Sequence, residues 1–342
     1  MNHSISVSNT AQVRSYNIEI VKNALKALPC GTKNTVSKIT GLSVATCNTL
    51  LNELSETGEI LEVEDPINTC SVGRPAKAYR FNEHFSYILC IYATTIGGNR
   101  KLHYGVMDLL GQIVESSSLD KDLLDYQEIE DLVSELIEKY PIINAIGFGI
   151  PGIVNREMVV ESCDIEALNG CPLRKRLTDQ FGVDVVVDND MNLIAYGFYQ
   201  EESPEEDSSM ALVSFFEKVC AGCGIIINGT IFHGSTNFAG EVFYLPFELN
   251  HSEQIQLLNT REGVLKLVSK TISSLVAVIN PTQVVLTGSP IQEDMLEELI
   301  ALCEMCIPEQ HMPKLRYSAE IDHYYLLGLC ALTLEYINNP YK

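Results

Sequence analysis

Long apolar runs are missing from this sequence. No stretch approaches the roughly 18 apolar residues that a membrane-spanning helix needs. The polar start of the chain, residues 1–17, also lacks the apolar segment of a secretory signal. We therefore expect a cytoplasmic protein that is neither membrane-embedded nor secreted. In such a reducing compartment its 11 cysteines are expected to be free thiols rather than disulfides.

Basic residues are scarce, with 23 Lys and Arg against 45 Asp and Glu, which gives a net charge of −22. This imbalance is uneven, because residues 1–82 carry a net charge of +1 and residues 83–342 carry −23. Since DNA is a polyanion, only the first part could approach it without strong repulsion. The 342 residues, 46% hydrophobic and 20% charged, are enough for two or three folded domains.

The first 82 residues have the pattern of a winged helix-turn-helix. Apolar periodicity predicts, in order, a helix at 17–28, a helix at about 35–40, a helix at about 44–57 and strands at 59–63 and 77–81. Ser43 is placed to cap the third helix and Gly58 to end it. A short helix, a glycine-containing turn and a longer helix are typical of DNA-binding domains, in which the longer helix enters the major groove.

Polar side chains face outward on the predicted recognition helix, and a wing tip, Gly73-Arg74-Pro75-Ala76, lies between the two strands. Arg74, kept extended by Pro75, suits a narrow minor groove. The candidate DNA contacts are Lys33, Lys38, Ser43, Ala45, Thr46, Asn48, Thr49, Arg74 and Lys77. Because the recognition helix has no Lys or Arg, we expect modest, salt-sensitive affinity per protomer and binding as a dimer. The alternative is that this domain mediates protein contacts only.

Beyond residue 86, short apolar strands alternate with helical patterns, which predicts an α/β fold with parallel strands in two lobes. The predicted strands are 87–93, 103–109, 145–150, 183–187, 211–216, 224–227 and 283–286. The predicted helices are 127–139, 173–181, 260–279 and 291–306. Ligands in such folds usually bind beyond strand ends, between lobes.

Three motifs stand at such places: Gly147 to Val154, Val187 to Asn192, and Gly222 to Glu241. The second offers carboxylates and amides suited to vicinal hydroxyls. Singly, each is ordinary turn chemistry, and Asp190 could simply cap a helix. Two Cys-x-x-Cys pairs, which begin at Cys220 and Cys303, are expected to be buried thiols rather than zinc or redox sites.

With these motifs in this order, the whole chain resembles a transcriptional regulator of the ROK family (repressors, open reading frames and sugar kinases). The resemblance implies a winged helix-turn-helix in residues 1–82 and two actin-like, ribonuclease-H-like α/β lobes in 83–196 and 197–323. It also implies that the C-terminal helix within 324–342 packs back on the first lobe. The residues implied to contact a sugar in the cleft between the lobes are Pro151, Gly152, Asn189, Asp190, Glu241 and Tyr244. Asp190 matches the general base of the kinase members.

The chain departs from the family's kinases at two places. Where they carry an Asp-x-Gly-Gly-Thr-type phosphate loop, residues 91–100 contain no Asp, so an Mg-ATP site is not expected. Tyr244 stands where relatives carry a zinc-binding His, and residues 248–263 contain no Cys. The lone His251 is expected to be a surface residue. We therefore expect no metal and no cofactor.

These observations predict a non-enzymatic, sugar-responsive regulator, a repressor of carbohydrate-metabolism genes. Its partners would be operator DNA, a small carbohydrate effector and further copies of itself in a dimer or tetramer. One alternative is a divergent sugar kinase that transfers phosphate from ATP to a hexose. Another is a ligand-independent DNA-binding dimer whose sugar site has decayed.

Overall fold

The structure, a computed structural model, describes residues 10–64, 77–96, 99–202, 208–216 and 221–339. The N-terminal elements are α1 (Thr10–Lys26), β1 (Gly31–Thr32), α2 (Lys33–Thr40), α3 (Val44–Thr57), β2 (Ile60–Glu64) and β3 (Lys77–Phe81). The three strands form an antiparallel sheet in the order β1-β3-β2. The wing tip, with Arg74 and its neighbours, lies outside the described residues.

Local capping forms the helix-turn-helix as predicted. Gly41 ends α2 in the left-handed region at φ 72°, and the Ser43 hydroxyl accepts a hydrogen bond from the Thr46 amide at 3.1 Å. Gly58, at φ 86°, ends α3. Helix α1 begins seven residues earlier than predicted, because its first turns have few apolar residues to mark them. There Arg14 forms an ion pair with Glu53 of α3.

The first lobe is built on a five-stranded sheet in the order β10-β7-β4-β5-β6. Its elements are β4 (Tyr87–Ile96), β5 (Asn99–Met107), β6 (Ile113–Lys121), α4 (Tyr126–Lys139), β7 (Ile143–Ile150), β8 (Gly152–Val154), β9 (Val160–Cys163), α5 (Leu173–Phe181) and β10 (Asp184–Asn189). Strands β4, β5 and β6 are antiparallel, whereas β7 and β10 are parallel to β4 and to each other.

The second lobe repeats this arrangement, with the sheet order β13-β12-β11-β14-β15. Its elements are α6 (Asp190–Glu202), β11 (Met210–Ser214), β12 (Gly222–Ile227), β13 (Thr230–Ile231), α7 (His251–Leu257), α8 (Arg261–Ile279), β14 (Gln283–Thr287), α9 (Leu296–Glu304), β15 (Lys314–Tyr317) and α10 (Asp322–Asn338). Strands β13, β12 and β11 pair in antiparallel fashion, whereas β14 pairs parallel to β11 and β15 pairs parallel to β14. The repeated order is the ribonuclease-H-like, actin-like α/β fold that the family resemblance implied.

The structure differs from the predictions for this region in four details. The sheets are mixed rather than parallel, and strand β6 was not predicted, because its residues are exposed on both faces and show no apolar alternation. The predicted helix 291–306 begins only at Leu296, since Gln292 is extended and a short 3-10 turn precedes the helix. Within it Cys303 is buried, but Cys306 is exposed, contrary to our prediction. Cys220 lies outside the described residues.

Helices α6 and α10 lie between the two sheets and share one apolar core with both of them. The helices approach each other so closely that a Cβ at Gly328 would lie 1.9 Å from the Leu193 carbonyl oxygen, and one at Gly197 would lie 2.0 Å from that of Tyr324. Helix α10 also packs on the first lobe, where a Cβ at Gly147 would meet the Thr333 hydroxyl at 2.2 Å. No helix in the described ranges has the length and apolarity needed to cross a bilayer.

Candidate functional site

A cleft of about 1060 Å³ is lined by residues of both lobes and of α10. All six residues predicted to contact a sugar line it: Pro151, Gly152, Asn189, Asp190, Glu241 and Tyr244. They come from the ends of parallel strands β7 and β10 and from the loop after β13. The fold therefore brings together residues up to 93 positions apart in the sequence.

Asn189 organises the turn from β10 into α6. Its side-chain nitrogen donates to the Gly152 carbonyl oxygen at 2.8 Å, and its oxygen accepts from the Met191 and Asn192 amides at 2.8 and 3.2 Å. The amide group thus joins the glycine turn to the start of α6. Gly152 cannot carry a side chain, because a Cβ there would lie 2.2 Å from the Ser162 carbonyl oxygen. This turn fixes where Asp190 points.

Asp190 is the first residue of α6, and one of its carboxylate oxygens accepts from the Met191 amide at 2.8 Å. Desolvation in the cleft raises the pKa of Asp190 to about 7, and the neighbouring carboxylates of Asp164 and Glu241 add to this shift. A carboxylate that changes ionisation near neutral pH can either bind a hydroxyl or take a proton from one.

Asp188 and His233 form an ion pair next to this turn. Asp188, 6% exposed, contacts His233 Nε2 through Oδ2 at 2.7 Å, and its Oδ1 accepts from the Asn189 amide and from Asn192 Nδ2. The hydrogen bond to Asp188 raises the pKa of His233. His233 precedes Glu241 in the same loop of the second lobe, so this pair connects that loop to the first lobe.

Replacing His233 by glutamine is expected to lower the melting temperature by about 2–4 °C at pH 6 and by less at pH 9. A histidine with a raised folded-state pKa contributes stability below its unfolded pKa and loses it as the pH rises through the folded value. Thermal unfolding between pH 5.5 and 9 measures the difference. Exposed His311, changed in the same way, is the control. A difference that does not vary with pH would contradict the ionic role of His233.

Sequence reasoning missed several residues of the cleft. Tyr325 and Thr95 line it with hydroxyl oxygens that are buried and lack a hydrogen-bond partner among the described residues. Asp164, Glu320 and Asp322 add carboxylates. No local signal marked them, because Asp164 follows an unpredicted short strand and Tyr325 and Asp322 are brought in by the packing of α10.

The place of the kinase phosphate loop is a regular hairpin. Strands β4 and β5 stay paired as far as Ile96 and Asn99, and residues 97–98 lie outside the described part. Tyr92 stacks on His103 with a centroid separation of 4.5 Å and contacts the Tyr325 ring at 4.3 Å. Desolvation raises the pKa of Tyr92 to about 12, so it stays neutral. The Tyr92 ring thus packs on β5 and α10, and neither Tyr92 nor His103 is among the described residues that line the cleft.

The residues at the family's zinc position do not fit the metal. Tyr244 is 57% exposed and meets His251 edge-on at 5.4 Å, while His251 packs on the Phe243 ring at 4.1 Å. In the described ranges, no three His, Cys, Asp or Glu side chains converge on a point that could hold a metal ion. Aromatic contacts, rather than zinc ligands, connect these residues of the loop.

The predicted DNA contacts that the structure describes lie at exposed or half-exposed positions of the N-terminal domain. Lys33, Lys38, Ala45 and Thr49 are exposed, Asn48 is half-exposed, and the Ser43 and Thr46 hydroxyls lie 2.8 Å apart at the start of α3. Lys77 forms an ion pair with Glu62 at 2.7 Å, which would have to break for Lys77 to reach a phosphate. Val44, an apolar residue that the sequence analysis did not single out, is 42% exposed at the first position of α3.

Comparison with known proteins finds relatives of two kinds, repressors and sugar kinases. Residues 92–251 match the family model described as the ROK family. The putative xylose repressor of Caldicellulosiruptor sp. (strain Rt8B.4) is 27% identical over 226 residues, which cover 63% of this chain and 54% of that protein. The N-acetyl-D-glucosamine kinase of Vibrio parahaemolyticus serotype O3:K6 is 29% identical over 157 residues, 44% of this chain and 51% of that protein. The chain thus spans about half the length of these curated relatives.

A solved structure extends the likeness to the N-terminal domain. It is described as a ROK family transcriptional regulator, a homolog of the E. coli MLC protein, and superposes with a TM-score of 0.73 over 96% of this chain and 98% of that one. At 16% identity this match shows the shared fold alone. Residues 92–251 are thus similar to the ROK family, and the curated relatives and the duplicated lobes agree with that similarity.

Proposed function

We propose that this chain is a sugar-responsive DNA-binding transcriptional regulator, a repressor of carbohydrate-metabolism genes. The observation that carries this proposal is that one chain combines an exposed helix-turn-helix with a cleft that keeps the sugar-side residues, while residues 91–100 contain no Asp of a phosphate loop. Relatives named as xylose repressors support it. Sugar binding would act through its different affinity for two arrangements of the lobes, and hence of two DNA-binding domains in a dimer.

The cleft itself favours a sensor over an enzyme. The Tyr92–His103 stack lies on the β4–β5 hairpin, and Glu320 and Asp322 add carboxylates to the lining of the cleft. In the described lining there is no Lys or Arg. A nucleoside triphosphate bound there would face the negative charge of the carboxylates. No basic side chain of the described lining would compensate the charge of its phosphates.

A divergent sugar kinase is the second candidate function. It is favoured by Asp190, whose pKa of about 7 suits a general base, and by the kinase relatives. Release of ADP from ATP and Mg²⁺ across a panel of hexoses tests it directly. Sugar-dependent turnover would establish the enzyme, and turnover no faster than without protein would leave the regulator.

The experiment that tests the regulator is selection of bound sequences from random duplex DNA at physiological salt, without sugar. We expect enrichment of an inverted repeat, because two winged domains related by two-fold symmetry read two half-sites. The enriched duplex then serves as the probe for release by sugars. If folded protein enriches no sequence, the regulator proposal is wrong, and the domain is better explained as a protein-interaction module.

Changing Asn48 to aspartate is expected to weaken binding to the selected duplex at least ten-fold. The substitution removes an amide donor from the groove-facing side of α3 and adds a negative charge next to DNA. Fluorescence anisotropy at fixed salt measures the affinity. The same change at exposed Asn23 on α1 adds equal charge to the same domain and is the control. Equal affinities for the two variants would rule out α3 as the recognition helix.

A further inference from the structure

Carboxylates line the cleft, and two of them have no partner. The described lining contains five, namely Asp164, Asp190, Glu241, Glu320 and Asp322. In the described part of the chain, the side chains of Asp164 and Glu241 form neither a hydrogen bond nor an ion pair. The lone histidine of the lining, His323, already lies 3.6 Å from Glu201. No Lys or Arg of the described lining therefore compensates Asp164 and Glu241, the two carboxylates that act on Asp190; Asp164 is exposed and Glu241 half-buried.

These carboxylates also act on one another. Desolvation raises the pKa of Asp164, Asp190 and Glu241 alike, and the charges of Asp164 and Glu241 raise that of Asp190 further. A bound group with a positive charge would reverse this repulsion, whereas a phosphate would increase it. The cleft as folded thus favours a cationic ligand over an anionic one.

Tyr325 provides independent evidence that a polar ligand belongs here. The residue is 4% exposed, lies on α10 rather than in the acidic loops, and lines the cleft with a hydroxyl that has no partner in the described ranges. The Thr95 hydroxyl also has no hydrogen-bond partner among the described residues. A buried hydroxyl without a hydrogen bond costs free energy, so a ligand that supplies polar groups is expected to satisfy it. An ammonium group supplies three donors to such oxygens.

We propose that the effector is an unphosphorylated amino sugar whose ammonium group binds between Asp164 and Glu241, next to Asp190. This inference rests on the proposed function, since it names the chemical class of the ligand for the same cleft. The sugar hydroxyls would use the remaining acceptors, Asp190 and the Pro151-Gly152 turn.

The test is calorimetric titration of the full chain at pH 7 with matched pairs of sugars: glucose and glucosamine, mannose and mannosamine, galactose and galactosamine. N-Acetylglucosamine, which has no charge, and glucosamine 6-phosphate complete the panel. We expect one amino sugar to bind at least ten-fold more tightly than its parent hexose. We also expect the acetylated and phosphorylated forms of glucosamine to bind more weakly than glucosamine.

Replacing Asp164 by asparagine should bring the amino sugar and its parent hexose to within about two-fold of each other. The control is Glu166→Gln, which removes a carboxylate two residues away that does not line the cleft. Should the Asp164 variant unfold, Glu241→Gln tests the same charge from the other lobe.

The outcomes separate this inference from the proposed function. If parent hexoses bind as tightly as amino sugars or more tightly, the amino-sugar inference is overturned while sugar sensing stands. Tightest binding of the phosphosugar would overturn it in the same way. If no sugar of the panel binds and none releases the selected DNA, the amino-sugar inference is overturned, while the enriched duplex still supports a DNA-binding regulator.

Discussion

A Gly328→Ala variant is expected to be less stable by about 3 kcal/mol, with a melting temperature roughly 6–12 °C lower. The added Cβ would lie 1.9 Å from the Leu193 carbonyl oxygen and 2.7 Å from the Gly197 amide nitrogen, and both are backbone atoms of α6. Neither can move without shifting a helix in the core between the sheets. Helix propensity alone predicts the opposite sign, since alanine is favoured over glycine by about 1 kcal/mol.

Thermal and urea unfolding measure this effect. Gly105→Ala is the matched control, because its Cβ would meet Leu326 and Met107 at 3.2–3.3 Å, through the ends of flexible side chains of the same core. We expect that variant to lose much less stability. A Gly328 variant as stable as the wild type would show that α6 and α10 are further apart than described here.

The Asp190→Asn variant is expected to bind the effector about 100-fold more weakly while sugar-free DNA binding is unchanged. An amide keeps the shape of the side chain but loses the charge-assisted hydrogen bonds to sugar hydroxyls and to an ammonium group. The tightest-binding sugar of the matched pairs is the ligand for titration, and the selected duplex is the probe for DNA binding. Asp122→Asn, at an exposed position of the first lobe, is the control.

Stability gives a second measure of the same variant. The pKa of Asp190 is raised in the folded chain from 3.8 to about 7, so the folded state binds more protons and the free energy of unfolding falls as the pH rises between these values. Asparagine does not titrate, so the variant does not lose this stability as the pH rises. The variant should therefore melt higher than the wild type at pH 8 and similarly at pH 4. Normal effector affinity, or a lower melting temperature at pH 8, would contradict the assignment.

Much of the site could be predicted because its residues stand at strand ends. Gly147 to Val154 and Val187 to Asn192 each contain a short apolar run followed by glycine, proline or Asx residues, and parallel neighbours bring such ends to one edge of a sheet. That is why Pro151, Gly152, Asn189 and Asp190 lie together, whereas Glu241 and Tyr244, which the resemblance implied, come from the loop after β13. Strand β6, by contrast, has polar residues on both faces and could not be recognised from its alternation.

The partners of the site could not be predicted, because they depend on contacts between distant segments. His233 reaches Asp188 across 45 positions, and Tyr325 reaches the cleft only because α10 returns between the two sheets. Aromatic stacking of Tyr92 on His103 likewise needs the hairpin register. No periodicity or motif marks such pairs.

The sequence by itself determined the local features: the capped helices of the N-terminal domain, the alternation of strands and helices, and the glycine turns that begin the cleft. These follow from backbone preferences and apolar periodicity, which act over a few residues. Only the tertiary structure decided which carboxylates face one another, which hydroxyls are left without partners, and how closely α6 and α10 approach. Desolvation and packing depend on atoms that the fold brings together, so the chemistry of the cleft emerges only in the folded chain.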